Sequence, residues 1–168
     1  MNARQLLLAL LAVPAVLTVL ATGCRTAGVP APEGAPPGME TTAPALLATR
    51  EPEVAWRTKS LVKADLDGDG KEDYALGGVK GDRYVLGIVQ GPPGSGSRHW
   101  TLDFGVAEED QESLCSLQAQ LAVEDLDRKG SEGEMAANAK GLRLHDDRCD
   151  AFHIFWNTRE KRYEWWRL

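Results

Sequence analysis

The sequence predicts a mainly β fold: a small antiparallel β domain of two blade-like meanders, with room for one short helix. Three observations predict it. The 168 residues are 43% hydrophobic and 26% charged, an ordinary composition for one folded domain. From residue 54 onward, short apolar runs alternate with turn residues, and each run reads as a strand. One of them, Leu61-Val62-Lys63-Ala64-Asp65-Leu66-Asp67, is echoed by Leu121-Ala122-Val123-Glu124-Asp125-Leu126-Asp127. The formal net charge of -6 argues against nucleic acid as a partner.

The chain opens with a segment that is not part of that fold. Arg4 precedes an apolar run at 6–20, and small residues Ala21-Thr22-Gly23 lead to Cys24. This predicts a secretory signal peptide over 1–23. The run contains Pro14 and is short for a spanning helix. Ala21-Thr22-Gly23-Cys24 also resembles a bacterial lipobox, in which the cysteine is acylated (diacylglycerol and palmitate) and becomes the mature N-terminus. The resemblance implies a lipoprotein anchored to the membrane through Cys24; the other reading is a plainly secreted protein. Arg25 stands where an inner-membrane retention signal has Asp, which points to the outer membrane. Residues 24–53 hold six of the nine prolines and few large apolar side chains. They are expected to form a lipidated, Pro-rich tether.

Within 54–168 the first meander reads as strands at 60–64, 73–79, 84–90 and 98–104. The second reads as strands at 141–144, 151–157 and 162–168, with turns near Asp146 and at Thr158-Arg159-Glu160-Lys161. Segment 106–117 carries Glu108, Glu109, Asp110 and Glu112, and periodicity leaves it open between a short helix and a loop. Two meanders are too few to close a propeller, which takes about four blades or more. Either two chains pair or the strands form a compact sandwich, and the length of 54–168 favours the second.

The densest chemistry lies in Asp65-Leu66-Asp67-Gly68-Asp69-Gly70-Lys71-Glu72-Asp73. Carboxylates stand at loop positions one, three, five and nine. Like charges about 4 Å apart repel by about 4 kcal/mol at an effective dielectric near 20. Such a loop either splays into water or surrounds a cation. The alternate spacing favours the cation, because hard divalent ions take about six to eight oxygens. Asp65, Asp67, Asp69 and Asp73 are the expected carboxylate ligands. Lys71 would give its backbone carbonyl, and Gly70 the sharp turn. An EF-hand is excluded: it needs an apolar residue at position eight and Glu at twelve, where Glu72 and Leu76 stand, and the flanks read as strands.

An Asp-x-Asp-x-Asp-Gly-x-x-Asp loop between strands, followed by Tyr74-Ala75-Leu76-Gly77-Gly78, resembles the calcium loop of FG-GAP (integrin-alpha-type, VCBS-like) repeats. The resemblance implies a calcium-stabilised β module of cell-surface and adhesion proteins, with the ion structural and not catalytic. Loop 65–73 would be the calcium loop. In the second copy, 121–133, positions five, seven and nine are Lys129, Ser131 and Gly133. That degenerate repeat is expected to be metal-free, with a basic side chain in place of the ion's charge.

With Cys24 lipidated, Cys115 and Cys149 remain as an even pair in an oxidising compartment, either bridged or as two buried thiols. A bridge is worth about 4 kcal/mol in the chain-entropy picture. No nucleophile elbow or phosphate-binding glycine loop is present. His145, Asp147 and His153 are the only hint of acid–base chemistry, and no catalytic residue is assigned. Trp165 and Trp166 must point to opposite faces of their strand. Arg143, Arg159, Arg162 and Arg167 lie near the aromatic residues and are expected to stack on them. The function expected from all this is a calcium-stabilised, lipid-anchored, non-enzymatic binding or assembly module of the cell envelope. Its partner would be an envelope protein or glycan. The alternatives are an envelope enzyme acting on sugar or peptide, and a periplasmic inhibitor-like lipoprotein.

Overall fold

Residues 42–108, 110–126 and 134–167 are described by the computed structural model. The signal peptide, Cys24 and the tether up to residue 41 lie outside them, as do Lys129, Ser131 and Gly133 of the second repeat. The chain begins with α1 (Ala43–Arg50) and β1 (Ala55–Trp56). The first meander follows as β2 (Val62–Ala64), β3 (Asp73–Lys80), β4 (Arg83–Val89) and β5 (His99–Val106). After a short β6 (Ser113–Leu114), the second meander runs through β7 (Gln120–Glu124), β8 (Gly141–His145), β9 (Phe152–Asn157) and β10 (Arg162–Arg167).

Each meander is a sheet of sequential antiparallel neighbours. β1 adds to β3, and β6 adds to β5 as the parallel exception. β2 lies against β7 and β5 against β10, so the first and last strands of one meander meet their counterparts in the other. The mainly β fold with two antiparallel meanders is therefore as the sequence predicts.

Alternation along the strands makes one core between the sheets. Tyr84, Leu86 and Ile88 of β4 face Leu142, Leu144, Phe152 and Ile154 of the second sheet, and all are at most 1% exposed. Each such side chain contributes about 1.5–3 kcal/mol by leaving water. Aromatic rings join the sheets: Phe104 meets Phe152 at 4.8 Å, and Trp100 meets Trp156 at 5.5 Å and Tyr163 at 6.2 Å between centroids. Trp165 and Trp166 do point to opposite faces. Trp165 packs in this core on Phe152, while Trp166 stacks on His153 outside it. Of the arginines expected near the aromatics, Arg167 sits over the Phe152 ring at 4.8 Å.

One expectation needs correction. The tether does not extend to residue 53, because 43–50 is a helix with Ala43, Leu46 and Leu47 buried against Leu76 and Val89. The prolines that suggested an extended tether include Pro44, which sits in the first turn of α1, where its missing N–H and fixed φ suit a helix. Thr42 caps it by accepting the Ala45 N–H at 3.4 Å. The folded part thus starts by residue 42, not 54. Gly78 and Gly87 make room for this layer: a Cβ on Gly87 would stand 2.6 Å from the Trp56 ring and 2.8 Å from Leu47.

Segment 106–117 contains no helix among its described residues. The Asp110 carboxylate takes the Glu112 N–H and the Ser113 hydroxyl, which folds the segment into a turn instead. The Arg167 guanidinium donates to the carbonyls of Asp110, Gln111 and Ser113 and holds that turn to β10. Just beyond it, Cys115 and Cys149 form the disulfide, with Cα atoms 5.9 Å apart.

Candidate metal centre

Residues 65–72 connect β2 to β3 at the junction of the two sheets. Gly68 and Gly70 hold φ of +80° and +83°, a left-handed turn that folds the loop back on itself. The turn aims carboxylates inward. Asp65, Asp67 and Asp73 each bring one oxygen into a group spanning no more than 4.8 Å. These are three of the four expected carboxylate ligands. Asp69 is not among them: its oxygens take the Lys71 backbone N–H at 2.8 Å and the Lys71 ammonium at 2.9 Å. The nearest cation in sequence has drawn it aside.

The three carboxylates are held by backbone donors. Asp65 accepts from the N–H groups of Gly68 and Gly70 at 2.7 and 3.0 Å. Asp73 is fully buried and accepts from Leu66 at 2.8 Å and Gly91 at 2.7 Å. It thereby ties the Asp loop to the loop after β4. Asp67 takes the Asp69 N–H and the Gln90 side-chain amide, both at 3.0 Å. Just before β8, the Lys140 N–H donates to the Asp65 carbonyl at 2.8 Å and ties the loop to the second meander.

Electrostatics shows what this costs the protein. Burial, helped by the charges of Asp67 and Asp69, pushes the Asp73 carboxyl up to about 6 against the pull of the Gly91 and Leu66 N–H groups. Burial likewise raises Asp67, with Asp69 and Asp65 adding to the rise. The Tyr163 side chain is buried beside the loop, with the Gln90 side chain at its hydroxyl. Burial first, and then the charges of Asp73, Asp67 and Asp65, hold its proton on, with a hydrogen bond to the Gln90 side chain acting against them. Crowded hard oxygens fit a hard cation, Ca²⁺, Mg²⁺ or Mn²⁺ alike.

The second copy is built differently. Asp125, the counterpart of Asp65, is exposed and paired with the Lys140 ammonium. A basic side chain, Lys140, stands at this carboxylate, and the expected Lys129 lies outside the described residues. The histidines do not share a partner: His145 pairs with Asp147 at 3.0 Å, and His153 with Glu124 at 2.9 Å.

Sequence reasoning missed Gln90, Gly91 and Tyr163. Gln90 ends an otherwise apolar strand run, which is a weak signal, and nothing local marks Tyr163. Comparison of the chain with protein-family models, curated proteins and solved structures found no match.

Proposed function

We propose that this chain is a calcium-stabilised, lipid-anchored binding or assembly module of the cell envelope, without catalytic activity. The observation that carries the reading is the group of Asp65, Asp67 and Asp73 oxygens within 4.8 Å at the seam of the two sheets. An ion there neutralises a buried carboxylate and holds together the Asp loop, the loop after β4 and, through Asp65, the second meander. The FG-GAP-like order of the loop residues supports calcium among the hard cations. Anchoring rests on Ala21-Thr22-Gly23-Cys24, and outer-membrane placement on Arg25. The Cys115–Cys149 bridge is in keeping with an oxidising compartment outside the cytosol.

Thermal unfolding followed by tryptophan fluorescence, in calcium and in EDTA, tests the reading. Extracellular calcium modules bind at roughly 0.1–1 mM. At ten times the dissociation constant the ion adds about 1.4 kcal/mol, which raises the midpoint by roughly 4–8 °C. Coincident curves, with no heat of calcium binding, would remove the metal centre and the reading with it. Globomycin, an inhibitor of lipoprotein processing, tests the anchor: accumulation of the unprocessed precursor supports it, and unaltered processing rules it out.

A further inference from the structure

We propose that the Asp69-Gly70 peptide bond is a site of isoaspartate formation, guarded in the folded protein by the Asp65 carboxylate. The chain has two Asp-Gly bonds, Asp67-Gly68 and Asp69-Gly70, and no Asn-Gly bond. Both lie in the turn between β2 and β3. Asp-Gly is open to this reaction because glycine has no side chain to shield its nitrogen. The glycine nitrogen attacks the aspartyl Cγ and gives up its proton. A carboxyl oxygen leaves as water, and a five-membered succinimide closes. Water then opens the ring. Opening at the former side-chain carbonyl restores aspartate. Opening at the other carbonyl routes the backbone through Cβ, which is isoaspartate. The water released is the water returned, so no oxidant or reductant takes part.

Both glycine nitrogens are engaged in the fold. Gly68 donates its N–H to one Asp65 oxygen at 2.7 Å, and Gly70 donates to the other at 3.0 Å. Each bond holds the proton that the nitrogen must lose and fixes the plane of the peptide. The Asp69 carboxylate is occupied as well: its oxygens take the Lys71 backbone N–H at 2.8 Å and the Lys71 ammonium at 2.9 Å. The two Asp-Gly bonds differ in their surroundings. A Cβ on Gly68 would stand 2.5 Å from the Ala136 Cβ, so the chain between β7 and β8 crowds that side. A Cβ on Gly70 would meet nothing within 4 Å, and Asp69 and Gly70 are both exposed. Asp69-Gly70 therefore has the room to close a ring, and Asp65 is what restrains it. Conversion adds a methylene to the backbone between Asp67 and Asp73, two of the three clustered carboxylates. The loop then loses its spacing. None of this depends on an ion in the loop.

The test incubates the full-length chain in EDTA at neutral pH, native and in urea. Isoaspartate at each site is read by electron-transfer mass spectrometry, which breaks the backbone beside the extra methylene. Native wild type is expected to convert Asp69 at least tenfold more slowly than in urea, where Asp67 and Asp69 react alike. Asp65→Ala is expected to remove most of that protection at Asp69 while Asp67 stays slow, a selectivity that unfolding does not produce. Gln90→Ala takes a bond from Asp67 but leaves both glycine N–H groups on Asp65, and is expected to stay as slow as wild type. If the melting curve shows that Asp65→Ala does not fold, Asp65→Asn, which keeps one acceptor oxygen, replaces it with an intermediate rate at Asp69. Equal native and urea rates in wild type overturn the inference. A folded Asp65 variant that reacts equally at both sites, or no faster than wild type, also overturns it, and a slower one would make Asp65 a general base instead. Equal acceleration by Gln90→Ala overturns it in favour of loop rigidity.

Discussion

Asp146 and Cys115 are joined by a hydrogen bond from the cysteine's backbone N–H to the carboxylate, 2.6 Å long. The other oxygen of the same carboxylate takes the N–H of Cys149 at 3.1 Å. One buried side chain therefore fixes the backbone at both ends of the disulfide. Arg148 adds an N–H of its own at 3.1 Å. Replacing the carboxylate by an amide removes charge assistance from these bonds and sets an amide donor among donors. Asp146→Asn is expected to cost roughly 2 kcal/mol. Urea unfolding with the bridge intact measures it, and a loss well under 0.5 kcal/mol would show that the bridge alone holds this corner.

The same residue sets an acid dependence. Burial pushes the Asp146 carboxyl up, but N–H groups of Arg148, Cys149, Cys115 and Ser116 outweigh it and leave it below its ordinary value. A carboxyl lowered on folding contributes stability that is present above its unfolded value, about 3.9, and is lost as pH falls through the folded one. Asp110 and Glu164 shift in the same direction. Wild type is expected to lose stability below about pH 4, and Asp146→Asn to lose less over that range. Parallel melting curves for the two proteins down to about pH 2.5 would contradict this.

The loop substitutions should divide into two kinds. Asp67→Asn keeps an oxygen for the Gln90 amide while removing charge from the cluster, so the calcium-induced rise in midpoint is expected to vanish. Asp69 is spent on Lys71, and Asp69→Ala is expected to retain most of that rise. Calorimetric titration with calcium reads both, and equal losses would place Asp69 in the ion's shell after all.

Leu47 is fully buried under the first sheet although it precedes the predicted start of the domain. Leu47→Ala is expected to cost about 2–5 kcal/mol, the range for emptying a core leucine site. A denaturant midpoint unchanged from wild type would show that α1 adds nothing to the fold.

Strand positions were legible because they depend on local alternation and on turn residues. Tyr84 to Val89 is an unbroken apolar run, buried on both faces, and Gly81 and Gly91 lie beyond its ends with φ of +60° and +67°. The Asp loop was legible for the same reason, since its spacing is contained in nine consecutive residues. What was not legible depends on distant partners. The Pro44 that suggested a tether opens a helix only because Leu46 and Leu47 find Leu76 and Val89 to cover. Asp69 reads like its neighbours in sequence, and only the reach of Lys71 separates it. Tyr163 comes to the Asp loop through the stacking of two sheets, which no local pattern encodes.

The bond from the Lys140 N–H to the Asp65 carbonyl also fixes an order in time. Synthesis delivers the Asp loop long before Lys140 and Tyr163 exist. Contacts between residues so far apart form late, because closing the intervening chain must precede them. The cation's seat is thus completed near the end of folding, after the local hairpins. An interaction absent from the transition state slows unfolding and leaves the folding rate almost unchanged. Calcium is accordingly expected to lengthen the lifetime of the finished molecule while refolding proceeds at the same speed in EDTA. Stopped-flow fluorescence in both directions measures this, and a calcium-accelerated refolding limb would mean that the loop is organised before the second meander arrives.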